Sequence, residues 1–83
     1  MKFRAEIDVM PHKALLDPQG KAVTKSMGNI GLSEVENVRI GKHISLEIEA
    51  DSKEVAESKV DEACKKLLVN QITESYIFDV IED

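Results

Sequence analysis

The sequence holds a single cysteine, Cys64, no tryptophan and only three aromatic residues, Phe3, Tyr76 and Phe78. One thiol excludes an intrachain disulfide framework and makes a reducing, cytoplasmic setting the default expectation. Three aromatics leave almost no platform for stacking bases. Positive charge is scarce as well: 11 Lys and Arg stand against 16 Asp and Glu, a formal net charge of −5. The deficit is lopsided. Residues 1–42 carry seven Lys/Arg and five Asp/Glu, whereas residues 43–83 carry four Lys and eleven Asp/Glu. Affinity for nucleic acid rests largely on neutralising phosphates, so this balance argues against a nucleic-acid partner. No apolar run approaches the roughly 20 residues of a membrane span, and no membrane partner is expected. Met1–Glu6 meets an acid at once and lacks a continuous apolar block, so it does not read as a signal peptide.

What is present fits one small globular domain over residues 1–83. Hydrophobic residues make up 42% and charged residues 33%, which is too apolar a mixture for intrinsic disorder. A chain this short buries only roughly 60% of its unfolded surface, so burial against a partner counts heavily in its stability.

Periodicity divides the chain into strands and helices. Residues 2–10 alternate, with Phe3, Ala5, Ile7 and Val9 on one face, and Pro11 ends the run because it has no N–H for a ladder. Residues 11–16 read as a loop. Asp17-Pro18 then opens a helix, an acidic cap followed by proline at the first helical position. Val23, Met27 and Ile30 form its apolar stripe, and Gly31 closes it as a left-handed cap. Gly28, inside the helix, costs about 1 kcal/mol relative to Ala, which is explained by a frayed end or a close backbone neighbour. Val35, Val38 and Ile40 mark a second strand, and Ile44, Leu46, Ile48 and Ala50 a third, with Gly41-Lys42 as a tight hairpin between them. Asp51 caps the next helix, with Glu54 reaching back, and Ala56, Val60, Ala63, Cys64 and Leu67 line its inner face up to a stop near Asn70. Residues 73–81 form the last strand. Tyr76, Phe78 and Val80 lie on one face of it, and Ile77 and Ile81 on the other.

The order β-α-β-β-α-β predicts an α+β fold, the ferredoxin-like βαββαβ sandwich. A four-stranded antiparallel sheet carries both helices on the face made by Phe3, Ile7, Leu46 and Ile48. Ile77 and Ile81 are then left on the outer face of an edge strand. A second copy of the chain is expected to cover them through an isologous dimer interface.

Catalytic and metal chemistry find little support. His12 and His43 are the only histidines and lack further ligands at metal spacing, so both read as surface residues. Cys64 lies on an apolar helix stripe and reads as core. None of the serines has an assignable His partner. Glu6, Asp8, Glu47 and Glu49 share the outer sheet face. They suit a divalent cation, an acid–base pair or an assembly surface, but a solvated face balanced by Lys2, Arg4 and His43 is the simpler reading. There is no phosphate loop. Two features exceed what folding requires: Asp17, Gln19 and Gly20 at the first helix start, where glycine lets another chain approach, and Arg39, Gly41 and Lys42 at the hairpin. Both are expected to bind a partner.

These same blocks carry a resemblance. Leu16-Asp17-Pro18-Gln19-Gly20-Lys21-Ala22-Val23, Val35-Glu36-Asn37-Val38-Arg39-Ile40-Gly41-Lys42, the strand Ile44–Glu49 and the helix ending Cys64-Lys65-Lys66-Leu67-Leu68-Val69-Asn70 together resemble the PurS family, the small subunit of phosphoribosylformylglycinamidine synthase. The resemblance spans essentially the whole chain. One departure precedes the first block, where His12-Lys13-Ala14-Leu15 stands in place of Lys-x-Gly-Val. The resemblance implies a non-catalytic subunit in purine biosynthesis. It bridges a PurL synthetase, which uses ATP and magnesium, and a PurQ glutaminase, so that glutamine-derived ammonia reaches the amidation site. It implies no cofactor on this chain, and a homodimer that leaves room for a tetramer. A small-metabolite-sensing regulatory domain is the alternative that the fold class alone leaves open.

Overall fold

The computed structural model describes residues 1–13 and 17–83. The element order is β1 (Lys2–Pro11), α1 (Pro18–Asn29), β2 (Lys42–Glu49), α2 (Lys53–Ala63), a π-helical turn (Cys64–Leu68) and β3 (Glu74–Glu82). Part of the expected loop, including Ala14 and Leu15, where the chain departs from the family pattern, and Leu16 of the first block, lies outside the described residues.

β1 is the centre of an antiparallel sheet of order β2-β1-β3. Its alternation places Phe3, Ala5, Ile7 and Val9 in the core, all buried. Register carries the pattern outwards on both sides. Ala5 faces Leu46 of β2 and Val80 of β3, and Ile7 faces Ile44 and Phe78. α2 covers this face with Ala56 and Val60, the π turn adds Cys64, and the Tyr76 hydroxyl, 2.5 Å from Asp61 Oδ1, pins β3 to α2.

Among the described residues the sheet has three strands, not four. Residues 35–40 do not form the expected second strand, because their donors are taken locally. Val38 N–H reaches Thr24 Oγ1 at 3.0 Å, Ile40 N–H reaches Asp17 Oδ2 at 2.9 Å, and the Arg39 guanidinium donates to the Pro11 carbonyl. Asn37 also adopts φ +55°, which breaks an extended run. With no second strand there is no Gly41-Lys42 hairpin; β2 simply begins at Lys42.

Among the described residues the expected placement of both helices on one sheet face is not seen. α2 packs across the sheet, while α1 is held at its first turns by residues 38–40. The α1 stripe is thinly covered: Val23 and Met27 are half-buried and Ile30 is 68% exposed. The molecule is therefore long, 51 × 26 × 14 Å, with a radius of gyration of 16.4 Å. A compact chain of this length would have about 12 Å.

Helix ends follow local chemistry. Asp17 caps α1 as expected, and Gly31 closes it at φ +84°, with Leu32 N–H on Met27 O at 2.8 Å. α2 is capped by Ser52 rather than Asp51. Ser52 has the extended backbone a cap needs, and its hydroxyl accepts from Val55 N–H at 3.3 Å. At the other end Val69 N–H bonds Cys64 O, five residues back, at 3.0 Å. That π turn inserts one residue and rotates the downstream side chains by about 100°. Leu68 consequently packs on the core, whereas the expected inner-face residue Leu67 is 83% exposed.

Candidate functional site

The structure joins the two sequence blocks singled out for partner binding, and Asp17 is the joint. Its Oδ1 accepts Gly20 N–H at 3.0 Å and its Oδ2 accepts Ile40 N–H at 2.9 Å. These two donors, Gly20 first, hold the carboxyl below its ordinary range. Thr24 makes the second tie, donating its hydroxyl to Gly20 O at 2.8 Å while accepting from Val38 N–H. Thr24 escaped the sequence reading. Its only signal is a hydroxyl one helical turn after Gly20, and that indicates no partner in advance.

Gly20 is buried, and its reason is on this chain: a Cβ there would run into Val38 O and stand 2.6 Å from Asp17 Oδ2. The close neighbour expected from another chain is the protein's own backbone. Gly41 is similar, since a Cβ would strike Met10 Sδ and Val9 O. Gly28, by contrast, faces open space.

Around this joint Asp17, Gln19, Gly41 and Lys42 line a shallow cleft of about 370 Å³ with Pro11, Pro18, Ile40 and Glu74. Gln19 and Lys42 are its exposed polar groups, and Lys42 Nζ lies 3.9 Å from Glu74. Gly20 sits beneath the joint. Arg39 lines a separate, larger cleft nearby. Asp17, Gln19, Gly41 and Lys42 thus meet at one corner, where a helix start joins the entry of β2.

Neither the lone thiol nor the acidic sheet face offers a second site. Cys64 is buried, and burial pushes its thiol up, away from nucleophilic thiolate. On the outer sheet face Glu6, Asp8, Glu47 and Glu49 are paired with basic groups. His43 lies 2.6 Å from both Asp8 Oδ1 and Glu6 Oε2, Arg4 3.0 Å from Glu6, Lys2 3.1 Å from Glu47, and the N-terminal amine 2.8 Å from Glu49. Asp8 and then Glu6 raise the His43 pKa. This is the balanced, solvated face. Beside it β3 presents Ile77, 72% exposed, and Ile81, 44% exposed.

Comparison with known proteins gives the same answer from a separate direction. The family model described as PurS, phosphoribosylformylglycinamidine (FGAM) synthase, matches residues 4–82. The FGAM synthase subunit PurS of Bacillus subtilis is 36% identical over 80 residues, covering 96% of this chain and 94% of the relative. That of Thermotoga maritima is 38% identical over 74 residues, covering 89% and 90%. Among solved structures, a chain in the structure of PurLQS from Thermotoga maritima superposes with a TM-score of 0.89 at 34% identity, covering 98% of this chain and 99% of that one. These matches run along nearly the whole length: the chain belongs to the PurS family.

Proposed function

We infer that this chain is the PurS subunit of an FGAM synthase, a non-catalytic component that assembles with a PurL synthetase and a PurQ glutaminase. The observation that carries this is the whole-length likeness to a chain of the Thermotoga maritima PurLQS structure. The chemistry agrees. Ammonia released by a glutaminase must reach the synthetase unprotonated, because ammonium has no lone pair for attack. A bridging subunit contributes positioning rather than a reacting group. ATP and magnesium belong to the synthetase in this reading, no cofactor is assigned to this chain, and its compartment is the cytoplasm.

The corner formed by Asp17, Gln19, Gly20, Gly41 and Lys42, with Arg39 beside it, is the proposed contact with the partner subunits. The outer stripe of Ile77 and Ile81 is the proposed dimer interface, isologous and completed by a second copy. The experiment is sedimentation of the chain alone and with both partner subunits. Gln19→Ala/Lys42→Ala is the probe of choice, since both side chains are exposed, whereas Arg39 also supports the Pro11 carbonyl. This double variant is expected to keep the melting temperature and the dimer while losing assembly. Ile77→Glu is expected to shift the chain alone toward monomer. Full assembly of the double variant would place the contact elsewhere, and an unchanged mass for Ile77→Glu would remove the dimer interface from β3.

A further inference from the structure

Cations gather at one place in this acidic chain. A cleft of about 1000 Å³ opens between the residues just after β1, the first turns of α1 and residues 37–39. His12 and Lys13 line it from the first segment, Lys21 and Lys25 from α1, and Arg39 from the third. One lining residue, Asp17, is a carboxylate, and its two oxygens already accept Gly20 and Ile40 N–H. Elsewhere Lys2, Lys42, Lys65 and Lys66 each have an acid within ion-pair distance, whereas Lys53 and Lys59, six residues apart on α2, stand singly. Among the described residues, Lys13, Lys21 and Lys25 pair with none.

We propose that this cleft binds a small molecule bearing two or more linked phosphates, held between Lys21 and Lys25 on one wall and Lys13 and Arg39 on the other. Collecting like charges is unfavourable unless an anion offsets them. Three chain segments bring these cations around a concavity, where a docked protein surface would call for a broad complementary face. The volume lies at the upper end of small-molecule sites, about 300–1000 Å³. Lysine ammonium groups on flexible stems and the planar fork of arginine both suit clustered phosphate oxygens. Among the described residues no Phe, Tyr or Trp lines the cleft, so the phosphates carry most of the recognition. The cleft shares Asp17 and Arg39 with the proposed partner contact, but Lys13, Lys21 and Lys25 lie outside that contact.

The test is calorimetric titration of the full chain at low salt with tripolyphosphate, ATP, inorganic phosphate and a poly-glutamate peptide. Tripolyphosphate and ATP are expected to saturate one site per chain with similar affinity, and inorganic phosphate to bind more weakly. Lys21→Gln/Lys25→Gln should weaken tripolyphosphate about tenfold or more, because charge-assisted contacts are lost. Glutamine has nearly the helix propensity of lysine, so α1 and the melting temperature should be kept. Lys53→Gln/Lys59→Gln, on exposed positions of α2, makes the same change in net charge and should leave binding unaltered. No saturable binding by tripolyphosphate would overturn the proposal. So would an equal loss in the α2 control, which would reduce the effect to net charge. Binding of ATP without tripolyphosphate would overturn it by pointing to base recognition. A poly-glutamate peptide outcompeting tripolyphosphate would turn the cleft into a protein-docking surface.

Discussion

At Gly20 a missing Cβ lets the backbone of residues 38–40 close against the first turn of α1. Gly20→Ala is therefore expected to destabilise the isolated chain by about 1–3 kcal/mol, the usual cost of overpacking. Gly28→Ala, which meets nothing within 4 Å, should stabilise α1 by roughly 0.5–1 kcal/mol through backbone entropy. Urea unfolding of the two variants reads the difference, and similar effects at both sites would contradict the packing account. Tyr76 offers a second residue-level check because it is the one tyrosine in the sequence, so tyrosinate absorbance reports it alone. Its hydrogen bond to Asp61 favours the protonated phenol and pushes its pKa up to about 12 from the ordinary 10.0. The contribution to stability is full below pH 10 and is lost as pH rises through the native value. Asp61→Asn should bring the titration back toward 10.0. A wild-type midpoint already near 10.0 would show that the α2–β3 tie does not persist in solution.

Among the elements, the ones with strict periodicity were legible from sequence. β1 and β3 alternate because one face meets α2, so Phe3, Ile7, Phe78 and Val80 declare their side directly. Residues 35–40 have the β-branched composition of a strand, but Asp17 and Thr24 offer their donors a better-placed set of acceptors. That competition comes from a segment more than ten residues away, which local pattern does not reveal. The corner at Asp17 was legible as an unusual motif, yet the intrachain joint behind it was not. The π turn after α2 was hidden because one inserted residue leaves composition unchanged. It predicts an asymmetry between neighbours. Leu67→Ala should alter stability of the isolated chain by no more than about 0.5 kcal/mol, whereas Leu68→Ala should cost about 2 kcal/mol or more. Equal losses in chemical denaturation would mean that the helix continues without the extra residue.

The whole molecule exposes more surface than its mass requires. Its accessible area is 5923 Å², against about 4900 Å² for a compact monomer of 9.2 kDa. α1 stands off the sheet, Ile30 and Ile77 face outward, and the long axis of 51 Å spans several times the thickness of 14 Å. Such a shape suits a subunit whose burial is completed by others. The central claim is that this chain positions a glutaminase on a synthetase without performing chemistry. The most direct measurement is FGAM formation by the reconstituted synthetase and glutaminase, with and without this chain, using either glutamine or added ammonia as nitrogen donor. Adding the chain is predicted to raise glutamine-dependent synthesis strongly while leaving ammonia-dependent synthesis nearly unchanged. Equal glutamine-dependent synthesis in its absence would contradict the account.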